Sequence, residues 1–327
     1  MLRTSLVNLL LGTCCLTLTA TALAKDTGYL FVSSENDNAV TVLDGKTYKL
    51  VKSIPTGQRP RDMRLSPDGK FLYVIASKKN QADVIDVAQL KVTHSVPVGK
   101  DPEMFDISPD GKRVYVSNED GAQISVVDLT SRKLVTSIPV GEEPEGVKLS
   151  QDGRRLYATS EVANMVHVID TSNHKIIANV MVGNRPRRFA LTPDGGEIWV
   201  TNELGGSVSI IDGAKNTIKA TLDFQPKGFR KDDVTPVGIT MTRDGKIAYV
   251  TLGRANHVAV IDVITRKVLD YVLVGNRAWG VTLNRAEKLL FVVNGLSDDV
   301  SIVDTTTRKV LRSVPVGRVP HTAVIDD

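Results

Sequence analysis

The sequence predicts an all-β fold, a seven-bladed β-propeller with four-stranded antiparallel blades and a C-terminal strand that closes the first blade. Three observations predict it: a repeat of 42 residues, a turn signature that recurs once per repeat, and four short strand-like runs in each unit. A Val-Gly or Thr-Gly pair closes units at Gly57, Gly99, Gly141, Gly183, Gly275 and Gly317. One interval is 92 residues long, two units with a closing glycine lost near Phe224-Gln225 and about eight residues added.

Ser-Pro-Asp-Gly or a relative recurs at Ser66 to Gly69, Ser108 to Gly111, Ser150 to Gly153, Thr192 to Gly195 and Thr242 to Gly245, with a degraded copy at Asn284 to Lys288. Asp-Gly supplies the left-handed backbone of a tight turn. In residues 100–141 the runs Glu103 to Ser108, Arg113 to Ser117, Gln123 to Asp128 and Lys133 to Val140 read as strands a, b, c and d. A helical repeat of this length would show a period of 3.6 residues, which is absent. The first unit starts at strand b, with Tyr29 to Ser33, Ala39 to Asp44 and Leu50 to Pro55 as strands b, c and d. Its strand a is expected from Val319-Pro320-His321 to Ile325, which aligns with Arg59-Pro60-Arg61 to Leu65. That completes seven blades and leaves no open sheet edge.

Composition agrees with a folded, charge-balanced domain: 42% hydrophobic, 24% charged, with 41 Lys plus Arg against 37 Asp plus Glu in alternating sign. No basic block marks a nucleic-acid surface. Residues 1–24 read as a removable signal peptide, with Arg3, an apolar Leu6 to Thr21 and the small-x-small Ala22-Leu23-Ala24, too short to span a bilayer. The mature chain, 25–327, is then a single periplasmic propeller. Cys14 and Cys15 both lie in the leader, so thiolate metal sites, disulfides, cysteine nucleophiles and Cys-x-x-Cys-His haem attachment are excluded from the mature chain.

The runs Phe71-Leu72-Tyr73-Val74, Val114-Tyr115-Val116-Ser117-Asn118, Ile198-Trp199-Val200-Thr201-Asn202 and Ala248-Tyr249-Val250-Thr251 resemble the Tyr-Val-Thr-Asn core of YVTN-repeat propellers. The resemblance covers essentially all of 28–327. With seven units and an export signal, the chain is most similar to the propeller family associated with pyrroloquinoline-quinone (PQQ)-dependent catabolism. The resemblance implies a bacterial periplasmic protein encoded beside quinoprotein alcohol dehydrogenases and transport genes, and supplies no catalytic residues to carry over.

The d-to-a and b-to-c loops of all blades should gather at one mouth of the central channel. After the recurring proline, or its equivalent, stand Arg61, Glu103, Glu145, Arg187, Val237, Trp279 and His321; before it stand Arg59, Asp101, Glu143, Arg185, Thr235, Arg277 and Val319. This is either a binding surface with an acidic sector between two basic ones, or a set of ion pairs between neighbouring blades, Arg61 with Glu103 and Glu145 with Arg187. Arg64, Asp106 and Lys148, further down strand a, are expected to pair between blades. The lengthened loop within Asp223 to Val234 adds Phe229 and Arg230 as candidates on the same face. Trp279 is expected as an exposed aromatic anchor, and Trp199 as packing.

His94, His167 and His174 map to outer or edge positions; only His257 and His321 map near the mouth, without a carboxylate spacing that would suggest a metal. No metal, cofactor or catalytic set is therefore assigned. The leading expectation is a non-catalytic binding or scaffold protein that contacts a periplasmic quinoprotein dehydrogenase, its electron carrier or a small ligand. The alternative is a lactonase-like hydrolase built on His321, Arg61, Arg277 and Glu145. A haem-binding propeller like those of nitrite reductases is a third, more distant reading, weakened by few histidines.

Overall fold

In the computed structural model, which describes residues 26–327, each repeat forms one four-stranded antiparallel sheet, and seven such sheets make the ring. The segment expected to be a signal peptide, residues 1–24, and both cysteines lie outside the described residues. Blade one takes its inner strand from Pro320–Asp326, which pairs antiparallel with Tyr29–Ser34 from Tyr29↔Asp326 to Ser34↔Pro320. Thr27 reinforces the join, its backbone N–H and hydroxyl both donating to Asp326 Oδ2 at 2.9 and 2.5 Å.

Blade three shows how the repeat folds. Its strands are Pro102–Ile107, Arg113–Asn118, Gln123–Asp128 and Lys133–Pro139. Strand a starts one residue earlier than the sequence suggests, since proline fits at the first position of a strand. Between a and b, the Ser108 hydroxyl donates to Asp110 Oδ1 at 2.6 Å and accepts from Arg113 N, while Gly111 takes φ +69°. Between c and d, Asp128 Oδ1 accepts the Ser131 N–H and hydroxyl. The turns are closed by side chains that the repeat supplies at fixed offsets.

The hydrophobic core is divided into seven clusters, most of them bridging adjacent blades. Phe31, Val42 and Ile54 of blade one pack against Met63, Leu72 and Ile85 of blade two, for example. Each fully buried side chain of this size contributes about 1.5–3 kcal/mol, so the blades are stable mainly through their neighbours. Trp199, with no exposure, is core packing as expected.

Four of the closing glycines latch their blade to the next. Their N–H groups donate to a strand-c side chain of the following blade: Gly57 to Asp83 Oδ2 (2.6 Å), Gly141 to His167 Nε2 (3.1 Å), Gly183 to Ser209 Oγ and Gly275 to Ser301 Oγ (both 3.3 Å). A Cβ on Gly141 would stand 2.4 Å from Ser160 Oγ, so close approach rather than turn conformation requires glycine there. Where the glycine is lost, strand c carries Ala259 instead of a polar residue, and Phe224 fills the junction in one cluster with Ala259, Val234 and Leu252.

Strand a of every blade lines the central channel. Two of these strands are reduced to Val147–Leu149 and Ile239–Met241. Each follows a glycine that lets inner strands crowd together, since a Cβ on Gly146 or Gly238 would fall 1.9 Å from Arg187 O or 2.3 Å from Trp279 O. Arg64, Asp106 and Lys148 pair between blades as the sequence suggests, at 3.6 and 3.1 Å. Among the described residues no helix is long and apolar enough to cross a membrane.

Candidate functional site at the channel mouth

One local device aims the mouth residues. The residue before the recurring proline, or its equivalent, adopts a left-handed conformation in six blades: Arg59, Asp101, Glu143, Arg185, Arg277 and Val319 have φ of 44–59°. Such angles are uncommon outside glycine, and for β-branched Val319 they are a genuine outlier. Hydrogen bonds from both neighbouring segments hold them. The backbone N–H of Arg59, Asp101, Arg185 and Arg277 donates to Oδ1 of Asn38, Asn80, Asn164 and Asn256 in the preceding blade, at 2.8–3.0 Å. Their carbonyls accept the N–H that follows strand b of their own blade, as Glu203 N does at Arg185 O (2.8 Å). Strained backbone that its surroundings over-determine is a mark of functional sites.

That second contact brings in residues the sequence reading passed over. The position after strand b carries Glu35, Glu119, Glu161 and Glu203, at the same 42-residue spacing as every other marker. Glu35, Glu161 and Glu203 interlock with the predicted arginines. Arg61 Nη1 contacts Glu103, and Arg61 Nη2 lies 3.7 Å from Glu145. Arg187 reaches Glu145 at 3.0 Å, contacts Glu161, and lies 3.6 Å from Glu203. Arg59 spans Glu35 (3.4 Å), Asp101 (3.6 Å) and Glu103 (3.3 Å), and Arg185 spans Glu161 (2.9 Å) and Glu203 (3.2 Å). Both expected pairs, Arg61 with Glu103 and Glu145 with Arg187, are thus present within a larger network.

Four arginines, Arg59, Arg61, Arg185 and Arg187, here meet six carboxyls, Glu35, Asp101, Glu103, Glu145, Glu161 and Glu203. An excess of buried carboxyls is relieved by protonation. Burial pushes Glu103, which has no exposed surface, up to about 9 against the pull of Arg61, with the Glu145 carboxylate adding to the rise. Burial likewise lifts Glu161 to about 7. Burial also opposes ionisation of Glu145, but Arg187 and Arg61 outweigh it and bring it down to about 2. Within this pair, burial favours a proton on Glu103 and the arginines favour the charge on Glu145.

His321 forms the floor. It is 1% exposed; its Nε2 faces Arg61 Nε at 3.3 Å and Arg188 Nη2 at 3.1 Å, and its Nδ1 lies 2.9 Å from Thr322 Oγ1. Burial and the two guanidiniums hold the imidazole neutral, well below its usual range. A neutral ring accepting two N–H groups at Nε2 has no lone pair left for a substrate proton. Above it, half-buried Trp279 is flanked by the guanidiniums of Arg277 (4.8 Å) and Arg187 (5.3 Å). Its indole N–H is buried without a partner, and no carboxylate pairs with Arg277 among the described residues.

These groups surround a cavity of about 320 Å³, lined by Arg59, Arg61, Glu145, Arg185, Arg187, Arg277, Trp279 and His321, with Glu35, Glu119 and Glu203 at its edge. Glu103 lies in the network beside the cavity. Phe229 and Arg230 do not line it: Phe229 packs edge-on against His257 (5.4 Å), and exposed Arg230 pairs with Asp233 (3.1 Å). The carboxylates of Asp101, Glu103 and Glu119 gather within 4.8 Å, a spacing that could hold a cation, but Arg59 and Arg61 stand against two of them and oppose one.

The profile of the family described as Cytochrome D1 heme domain matches residues 25–145 and 194–323, well over half of the chain, and the chain belongs to this family. The profile of the YNCE-like beta-propeller matches residues 103–194. Among solved structures, hydrazine synthase of Kuenenia stuttgartiensis is similar at a TM-score of 0.78 and 24% identity, over 90% of this chain and 99% of that one. A functionally unknown protein from Desulfotomaculum acetoxidans is similar at a TM-score of 0.78 and 19% identity, over 91% and 99%. The dihydro-heme d1 dehydrogenase NirN, solved in complex with DHE, is similar at a TM-score of 0.71 and 17% identity, over 93% and 76%. No curated protein sequence matches the chain significantly.

The mouth does not fit a haem. Of the side chains that serve as axial ligands, only His321 lines the cavity, and its Nε2 is taken by two guanidiniums. The cavity also lies at the small end of the range for sites of drug-sized ligands.

Proposed function

From its membership of the cytochrome d1 heme-domain family and a mouth unsuited to haem, we propose that this chain is a binding propeller, which takes a small carboxylate-bearing, planar ligand into the mouth cavity. The observation that carries this reading is Arg277. Its guanidinium lies against Trp279 and faces the cavity without a carboxylate partner among the described residues, next to an indole N–H that also lacks one. An unpaired cation beside an aromatic ring recognises an anionic group joined to a flat apolar body. The neighbouring Arg187 and Arg185 are each paired with glutamates and serve to fix the walls.

Export to the periplasm and service to a quinoprotein dehydrogenase are parts of the same proposal, supported by the leader and by the resemblance of the repeats. Calorimetric titration of the purified chain with aromatic and aliphatic mono- and dicarboxylates tests the binding claim. At least one aromatic carboxylate should bind, and Arg277→Ala and Trp279→Ala should each weaken it about tenfold or more, since such contacts are worth over 1 kcal/mol. Binding that survives both substitutions, or a panel without any binder, would overturn the reading. Crosslinking in native periplasm tests the partnership, with recovery of a dehydrogenase or its carrier expected.

A further inference from the structure

Beneath His321 the channel opens into a second cavity of about 630 Å³ that runs down strand a to Pro67 and Pro109, in the turns of the opposite face. One position per blade forms its upper ring. Glycine occupies that position in blades four, six and seven (Gly146, Gly238 and Gly280), and Arg188 occupies it in blade five, between two of them. Arg188 is 8% exposed. No carboxylate lies within ion-pair distance of it among the described residues; its Nη2 reaches His321 and its Nε has no acceptor.

The other channel charges are committed. Asp106 accepts from Lys148 at 3.1 Å and from the Leu149 N–H at 2.9 Å, with Arg64 at 3.6 Å. Asp62 accepts the Phe105 N–H and lies 3.5 Å from Arg64. Three cations thus line the cavity with two carboxylates, and Arg188 is the cation without a direct ion pair, Glu145 and Asp62 acting on it only from beyond ion-pair distance. A buried guanidinium left without an anion is costly. The glycines at the equivalent positions bring no side chain that could pair with it, and Thr240 and Thr282 line the same cavity without a side-chain hydrogen bond among the described residues.

We propose that the channel holds a small oxyanion, organic carboxylate or inorganic, on the free edge of Arg188. The site is separate from the mouth cavity, since Arg61, His321 and Arg188 form the partition between them. The claim therefore stands independently of the ligand proposed for the mouth.

Crystals of the mature protein soaked in sodium selenate test it by anomalous diffraction. A selenium peak is expected within hydrogen-bond distance of Arg188 in the unsubstituted protein and in Arg277→Ala, and its loss in Arg188→Met. Soaks that add acetate or phosphate identify the natural class by which of them displaces the peak, and displacement by either supports the site. Selenate confined to surface lysines, or a channel peak that persists in Arg188→Met, would overturn the proposal. Should Arg188→Met fail to fold, the unsubstituted crystal alone decides, because an empty channel there refutes the site.

Discussion

Replacing Glu103 by Gln tests the protonation of the mouth network. The two amino acids have nearly the same shape, and Glu103 has no exposed surface. If Glu103 is protonated at neutral pH, the exchange replaces one neutral hydrogen-bonding group by another, at a cost of about 1 kcal/mol or less. If it is instead an ionised partner of Arg61, the exchange removes one half of a buried ion pair and costs about 3–5 kcal/mol. At roughly 2–4 °C per kcal/mol for a large domain, the second case lowers Tm by about 6–20 °C, the first by a few degrees at most. The expected result is no large loss: a few degrees at most, offset or reversed above the ordinary carboxyl range because the variant is spared the proton uptake that a raised Glu103 requires on folding. The pH profile supplies a second readout. A group raised to about 9 in the folded state contributes stability that is complete below the ordinary carboxyl range and is lost as pH rises through 9. Tm of the unsubstituted protein should accordingly decline between pH 5 and pH 9. Glu103→Gln should decline less, with the gap widening steadily from about pH 5 to pH 9, while the part of the decline due to Glu161 is common to both proteins and ends near pH 7. Calorimetric scans across that range would refute the reasoning if the variant melted more than about 6 °C lower at pH 7 and ran parallel to the parent.

Other perturbations test the frame around the site. Deleting residues 318–327 removes the inner strand of blade one and should lower Tm by well over 10 °C, far more than trimming an unpaired tail; an unchanged melting curve would contradict the closure. Gly141→Val puts a side chain where Ser160 Oγ and His167 stand and should cost about 1–3 kcal/mol, measurable by urea unfolding. Asn164→Ala removes the clamp on the Arg185 N–H; it should destabilise by about 1 kcal/mol and weaken ligand binding at the mouth, read by titration. Haem added to the purified protein should leave its absorption spectrum unshifted, since His321 Nε2 is already engaged.

The ring was legible in the sequence because a propeller repeats its turn chemistry: the Asp-Gly turns and closing glycines each meet one steric or hydrogen-bonding need in every blade. The joining of Pro320–Asp326 to Tyr29–Ser34 followed from the same alignment. The mouth was legible in part. Arg61, Glu145, Arg187, Arg277, Trp279 and His321 do converge on one cavity. Phe229 and Arg230 do not reach it, because the lengthened loop folds its phenylalanine down against His257 instead of over the channel. The ring of Glu35, Glu119, Glu161 and Glu203 carried a signal at the repeat spacing, but its importance depends on left-handed residues before strand a that bend the two loops together. Such angles are unfavourable for arginine, aspartate and valine, so local preference points away from them. Arg188 looked like one arginine beside another, and only the glycines at its equivalent positions in other blades set it apart.

The strand that completes blade one also governs the order in which the molecule can be made. Thr27 and Asp326 are 299 residues apart in the chain, whereas the other blades draw all four strands from one local segment. Contacts of such long range are slow to form, because the ends of a long loop must meet before any pairing compensates for the lost chain entropy. Six blades can assemble from neighbouring segments while the first still lacks its inner strand, so closure is expected to come last. Unfolding runs the other way. Once shut, the ring has no terminal blade from which to unravel, and separating any two blades must first break a whole interface or the joining strand. Stop-time proteolysis should find little cleavage in the closed ring at concentrations that degrade the deletion variant, a difference in lifetime larger than the difference in equilibrium stability.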